Sequence, residues 1–177
     1  IIGEVQKAEL EGFHAVSLDC AMDTVVRAAR ESVRIPVTSA GEASYILAFG
    51  LCRRFSVVTV LRSTADEIRE NISRYGFGGR VASVRNANVP VLDLKNEEKA
   101  YNAILRESEI ALREDGAEAI VLGCTGMSSL AKKLQESLQV PVIDPAIASM
   151  KLAEMYISMG LTTSSVAYEP ARDKMVL

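Results

Sequence analysis

The sequence predicts an α/β fold built as two pseudo-symmetric Rossmann-like subdomains with mainly parallel sheets. Three observations predict it. Short apolar or β-branched runs alternate with longer stretches of helical spacing, which is the pattern of successive βαβ units. The chain also repeats itself: Glu11-Gly-Phe-His-Ala-Val-Ser-Leu-Asp-Cys20 is answered by Asp115-Gly-Ala-Glu-Ala-Ile-Val-Leu-Gly-Cys124. The match continues from Ile35-Pro36-Val37 to Val140-Pro141-Val142, from Ala43-Ser44 to Ala148-Ser149 and from Leu47-Ala48 to Leu152-Ala153. The cysteines are offset by 104 residues (124 less 20) and the later pairs by 105 (141 less 36), a period too long for a solenoid unit.

In chain order, residues 1–10 read as the end of a helix. Strands are expected at 14–19, 35–38, 55–61, 80–84, 118–122 and 140–143, with helices at 23–33, 42–53, 64–75, 97–114, 128–138 and 146–159. Several helix ends carry physical marks. Asp23 reads as the N-cap of the helix after Cys20. Thr64 and Glu67 have capping-box spacing. Pro145 after Asp144 suits a first helical turn, and Gly76 suits a helix stop. The division expected is a first subdomain over 1–54, a second over 55–144, and a segment 145–177 comprising a helix (145–160) that returns to the first, plus a tail. Projecting the strand at Phe55 back by the repeat offset places its counterpart about fifty residues ahead of Ile1. The first subdomain is therefore expected to lack an N-terminal βαβ portion.

Composition narrows the function. Of 177 residues, 49% are hydrophobic and 24% charged, as in ordinary globular chains, and the net charge of −3 argues against nucleic acid as partner. No apolar run reaches the roughly 18–20 residues of a membrane helix. Three cysteines and one histidine fit neither a disulfide scaffold nor a metal centre, so no metal is expected and a reducing, cytoplasmic compartment is.

The two repeated cysteines carry the chemistry. In open α/β sheets ligands bind beyond the carboxyl ends of the strands, where Cys20 and Cys124 both fall. A helix N-terminus behind each thiol is expected to lower its pKa, making it a proton acceptor or donor on carbon. If the halves face each other, one thiol removes a proton from one face of a carbon and the other returns one to the opposite face, with no cofactor. Cys52 has no repeat partner and reads as helix core; His14 reads as structural or surface. Around the same edge the candidate substrate-binding residues are Asp23, Gly41, Glu42, Thr59, Arg62, Thr125 and Gly126, whose alternative role is ordinary capping.

Ala15-Val-Ser-Leu-Asp-Cys20-Ala-Met-Asp23, Pro36-Val-Thr-Ser-Ala-Gly41-Glu42-Ala43, Phe55-Ser-Val-Val-Thr-Val60, Gly123-Cys124-Thr125-Gly126-Met127 and Val140-Pro-Val-Ile-Asp144-Pro145 together resemble the aspartate/glutamate/hydantoin racemase superfamily, most of all its hydantoin and allantoin racemase branch. The resemblance implies a cofactor-independent two-base racemase or epimerase of a 5-substituted hydantoin, allantoin or related ureide. Its site would lie in the cleft between the halves, with Cys20 and Cys124 as the acid/base pair. It also implies a small-molecule substrate and a homo-oligomer. Hydantoin-type members usually follow the first cysteine with Phe-Gly-Asp-Pro-Gly, where this chain has Ala21-Met22-Asp23-Thr24-Val25. The competing readings are an aspartate- or glutamate-type racemase, a decarboxylase of the same fold, and a non-catalytic small-molecule binding protein. Decarboxylating relatives keep only the second cysteine, so the presence of both favours racemisation.

Overall fold

In a computed structural model, which describes residues 1–169, six strands form two parallel sheets. The expected α/β architecture with parallel sheets is what the chain adopts. The first sheet pairs β1 (Val16–Leu18) with β2 (Val37–Ser39), Val16 opposite Val37. The second has the order β4-β3-β5-β6, from β3 (Phe55–Thr59), β4 (Val81–Asn86), β5 (Ala119–Leu122) and β6 (Val142–Ile143). The helices are α1 (Ile2–Leu10), α2 (Val26–Ser32), α3 (Ala40–Leu51), α4 (Arg62–Arg74), α5 (Glu97–Glu114), α6 (Ala131–Leu138) and α7 (Pro145–Ser158). Part of the expected tail, 170–177, lies outside the described residues.

The middle strands explain the layering. Every residue of β3 and β5 is buried, so both faces of the second sheet need cover. On one face Val58, Ile120 and Leu122 pack with Ile104 of α5 and Leu134 of α6. On the other, Phe55, Val57 and Val121 pack with Tyr45 of α3, Ile68 of α4 and Leu152 of α7. A smaller core of Val5, Ala29, Val33 and Val37 seats α1 and α2 on the first sheet. Helix α7 is tied to that sheet by buried hydroxyls: Ser17 Oγ donates to Ser149 Oγ at 2.7 Å, and Thr38 Oγ1 donates to the Ser149 carbonyl at 3.0 Å. The repeated acid-Gly pair performs the same task twice. Helices α1 and α5 end at Glu11 and Asp115, and Gly12 (φ 84°) and Gly116 (φ 73°) take the left-handed turn that follows.

Several sequence marks resolve differently. Helix α4 begins at Arg62, two residues before Thr64, so the Thr64–Glu67 capping box does not form. Asp23 does not cap its own helix: α2 starts only at Val26, and the Asp23 carboxylate is drawn to α3 instead. The stretch 125–130 is a 3-10 helix ahead of α6, and Cys52 is the C-cap of α3 rather than its interior, with Sγ 3.3 Å from the Ala48 carbonyl. Asp144 does cap α7, accepting from the Ala146 and Ile147 amides, with Pro145 first in the helix. Gly76 takes φ 79° just past α4, as a helix stop requires.

Ile104 is fully buried between α5 and the second sheet, whereas Leu92 is 78% exposed. Ile104→Ala is expected to cost about 2–5 kcal/mol in urea unfolding, and Leu92→Ala less than about 0.5 kcal/mol.

Candidate active site

Cys20 lies two residues past β1 and Cys124 two residues past β5, at the carboxyl ends of their parallel strands. Both thiols are free and partly exposed. Burial pushes the pKa of Cys124 up, and charge on Cys20 and on Asp19 adds to the rise. The two surroundings differ. Cys124 is the N-cap of the 3-10 helix Thr125–Leu130; its sulfur makes no capping hydrogen bond, and the nearby Gly126 amide pulls its pKa down only in part. Burial is the larger influence and raises its pKa, against the lowered value expected from a helix terminus: desolvation penalises the thiolate more than one N–H relieves it. Cys20 is followed by a turn and not by a helix, with Asp23 N–H bonded to the Cys20 carbonyl at 3.0 Å and Thr24 Oγ1 3.8 Å from its sulfur. The helix behind that thiol expected from the sequence is absent.

The Cys20 loop is held from two directions. The Asp23 carboxylate, 6% exposed, accepts from Ser39 Oγ at 2.6 Å and from the Gly41 and Glu42 amides at 2.8 Å each. Burial raises its pKa; Ser39, the two amides and the Tyr75 hydroxyl pull it back down. From the other side, Asn71 Nδ2 of α4 donates to the Met22 carbonyl at 2.5 Å. This grip sustains a strained backbone, with Asp23 at φ 52° and Val25 at φ 61°. A β-branched residue rarely adopts that conformation. Val25 stands where the resemblance places glycine, and the loop keeps the glycine-like turn without the glycine.

The Cys124 loop is fixed by close packing. A Cβ on Gly123 would lie 2.6 Å from Thr59 Cβ, so only glycine lets β5 end against β3. Thr59 Oγ1 then donates to the Gly123 carbonyl at 2.9 Å, and the Gly123 amide to the Val58 carbonyl at 2.8 Å. Gly126 flanks the thiol; a Cβ there would sit 3.5 Å from Cys124 Sγ and 2.9 Å from Leu94 Cδ1.

The sequence-predicted site residues therefore separate into two groups. Cys20, Cys124, Thr125, Gly126 and Arg62, which opens α4 beyond β3, all have exposed or half-exposed surface at the sheet edge. Asp23, Gly41 and Thr59 are buried with their polar groups engaged, and the Glu42 side chain pairs with Arg30. Sequence reasoning placed Ser39 only in a candidate substrate loop running to Glu42, and did not find Asn71 or Ser128. The repeat contained a signal for Ser39 and Ser128, because each sits opposite an aspartate in the other half. Among the described residues no three His, Cys, Asp or Glu side chains converge as metal ligands, and no helix is long and apolar enough to cross a membrane. A cavity of about 300 Å³ lies between Arg30, Glu42, Tyr156 and the segment 161–168, and its lining includes neither Cys20 nor Cys124.

Known proteins resemble this chain in sequence and fold. A family model described as Asp/Glu/Hydantoin racemase matches residues 1–153. The hydantoin racemase of Rhizobium meliloti is 41% identical over 167 residues, spanning 94% of this chain and 69% of that protein. Among solved structures, allantoin racemase from Klebsiella pneumoniae superposes with a TM-score of 0.94 at 33% identity, covering 99% of this chain and 73% of that one. The allantoin racemase from Pseudomonas fluorescens gives 0.90 at 35% identity, covering 93% and 71%.

Two outcomes follow from this geometry. Because burial holds Cys124 as a thiol at neutral pH, its alkylation by iodoacetamide should keep rising through the free-cysteine pKa of about 8.5. A rate that levels off by about pH 8 contradicts that environment. Val25→Gly should stabilise the fold by about 0.5–1 kcal/mol: relief of the left-handed strain, about 1–2 kcal/mol, exceeds the added entropy of glycine. Thermal unfolding measures it.

Proposed function

This chain belongs to the Asp/Glu/hydantoin racemase family, and from that premise we propose that it is a cofactor-independent racemase of a 5-substituted hydantoin, allantoin or a related ureide. The observation that carries the reading is the pair of free, partly exposed thiols, each two residues past the carboxyl end of a parallel strand at equivalent positions of the repeat. A substrate carbon between them presents one face to each sulfur. In one direction Cys20, as thiolate, takes the ring proton, and the electron pair left on carbon delocalises into the adjacent carbonyl as an enolate. Cys124, held protonated by burial, delivers its proton to the opposite face. The centre is inverted, and the thiol and thiolate have exchanged places. The reverse reaction, or exchange with water, resets them.

A cyclic ureide suits this chemistry because its carbon acid is stronger than that of a free amino acid. Donors aimed at the developing enolate oxygen would lower the barrier. Thr125 and Arg62 are polar groups with free surface at this edge, as are Asp19 and Thr24 beside Cys20, and Gly126 leaves room beside the Cys124 sulfur. Asp23, Gly41, Glu42 and Thr59 act from behind, holding the loops. Three unpaired thiols suit a cytoplasmic enzyme. Exposed apolar side chains on α3 and α7, among them Phe49, Ile147 and Met150, suit assembly into a homo-oligomer.

One enantiomer of a 5-substituted hydantoin or of allantoin, incubated with the protein in deuterated water, should lose its optical rotation faster than the protein-free control. The inverted product should carry solvent deuterium at the stereocentre. Absence of both across ureides and acidic amino acids overturns the class. Cys20→Ala and Cys124→Ala should each lower racemisation by about 10²–10⁴-fold, while Cys52→Ala leaves it near wild type.

A further inference from the structure

The two halves build the same support for their cysteine loops from exchanged parts. In the first half the carboxylate belongs to the loop. Asp23 accepts from Ser39 Oγ, from the Gly41 amide and from the Glu42 amide. Ser39 is the N-cap of α3, and Gly41 and Glu42 are its second and third residues. In the second half the carboxylate belongs to the helix. Asp144 is the N-cap of α7; it accepts from Ala146 and Ile147, the second and third residues, at 2.9 and 3.3 Å, and from Ser128 Oγ at 2.7 Å. Shifted by the repeat offset of 105, position 23 falls on 128, 39 on 144, 41 on 146 and 42 on 147. A cysteine-loop aspartate facing a helix-cap serine in one half is, in the other, a serine of the 3-10 helix after Cys124 facing a helix-cap aspartate.

We infer that this exchanged serine–aspartate pair is a latch that seats each cysteine loop on a helix start, making Asp23, Ser39, Ser128 and Asp144 positioning residues. The physics permits either orientation and no other combination. One carboxylate meets the two amides and accepts the facing hydroxyl. Two carboxylates at 2.6–2.7 Å would repel in a poorly solvated spot, and two serines would leave N–H groups under-satisfied. The helix residue under the carboxylate fits the same logic. Where the carboxylate arrives from the loop, a Cβ on Gly41 would lie 2.7 Å from Asp23 Oδ2, whereas where it arises from the helix the equivalent residue is Ala146.

The test is to exchange the partners. Asp23→Ser and Ser39→Asp are made singly and together, and likewise Ser128→Asp and Asp144→Ser. Each single change should lower racemisation by about tenfold, and each double should recover to within about threefold of wild type. The effects should also be specific to one half. First-half singles slow solvent exchange at the stereocentre from one enantiomer, second-half singles from the other; general loss of fold slows both. The enantiomer-resolved readout rests on the racemase reading, but a second one does not. Iodoacetamide labelling resolved by peptide mass should change mainly at Cys20 in the first-half singles and mainly at Cys124 in the second-half singles, returning to wild type in the doubles. That result stands even if the chain acts on no ureide. Where an aspartate variant does not fold, Ser39→Ala and Ser128→Ala should give the same half-specific labelling. Doubles no closer to wild type than their singles, doubles that fail to fold, or both cysteines responding equally to either latch overturn the inference.

Discussion

Buried N–H groups at a helix start have to be met, and in the first half of this protein the group that meets them comes from the loop bearing Cys20. Taking a carboxylate out of water costs several kcal/mol unless donors replace the solvent. Asp23 has a hydroxyl and two amides in place. The arrangement is reciprocal: the helix needs the charge, and the charge needs the helix. Much of the local geometry is a consequence. The backbone at Asp23 and Val25 is left-handed because the loop must turn sharply to bring the carboxylate over α3. Gly41 lacks a side chain because the Ala21 carbonyl would lie 2.5 Å from a Cβ there.

The same constraint makes the two thiols unequal although the chain repeats. Cys124 follows a fully buried strand, its loop seated by Gly123 against Thr59, and its sulfur is partly desolvated. Cys20 sits on a loop that approaches α3 from outside and meets no helix of its own for six residues. In the proposed reaction one thiol starts with the proton and the other without it, and burial favours the protonated form at Cys124.

Much of the architecture was legible in the chain. Helix 97–114 matched residue for residue, because capping by Asn96 and a long amphipathic run point to the same ends. The two cysteines and the acid-Gly turns followed from the repeat. What was not legible came from contacts between distant segments. Asp23 has every local mark of an N-cap, yet a helix sixteen residues away wins it with more donors. Thr64 and Glu67 have the spacing of a capping box, but α4 starts earlier, at Arg62. The thiol pKa at Cys124 went the opposite way because local position reveals the N–H group and not the burial around it. Thr59 resembled a ligand contact because it ends a strand; the absent side chain at Gly123 draws its hydroxyl inward.

Asn71 joins matters otherwise kept apart. It stands on α4, which follows β3 of the four-stranded sheet, and grips the chain just past Cys20, which leaves the two-stranded one. A hinge that swung the sheets apart to admit a guest would have to rupture this amide–carbonyl link or drag the sulfur along with α4.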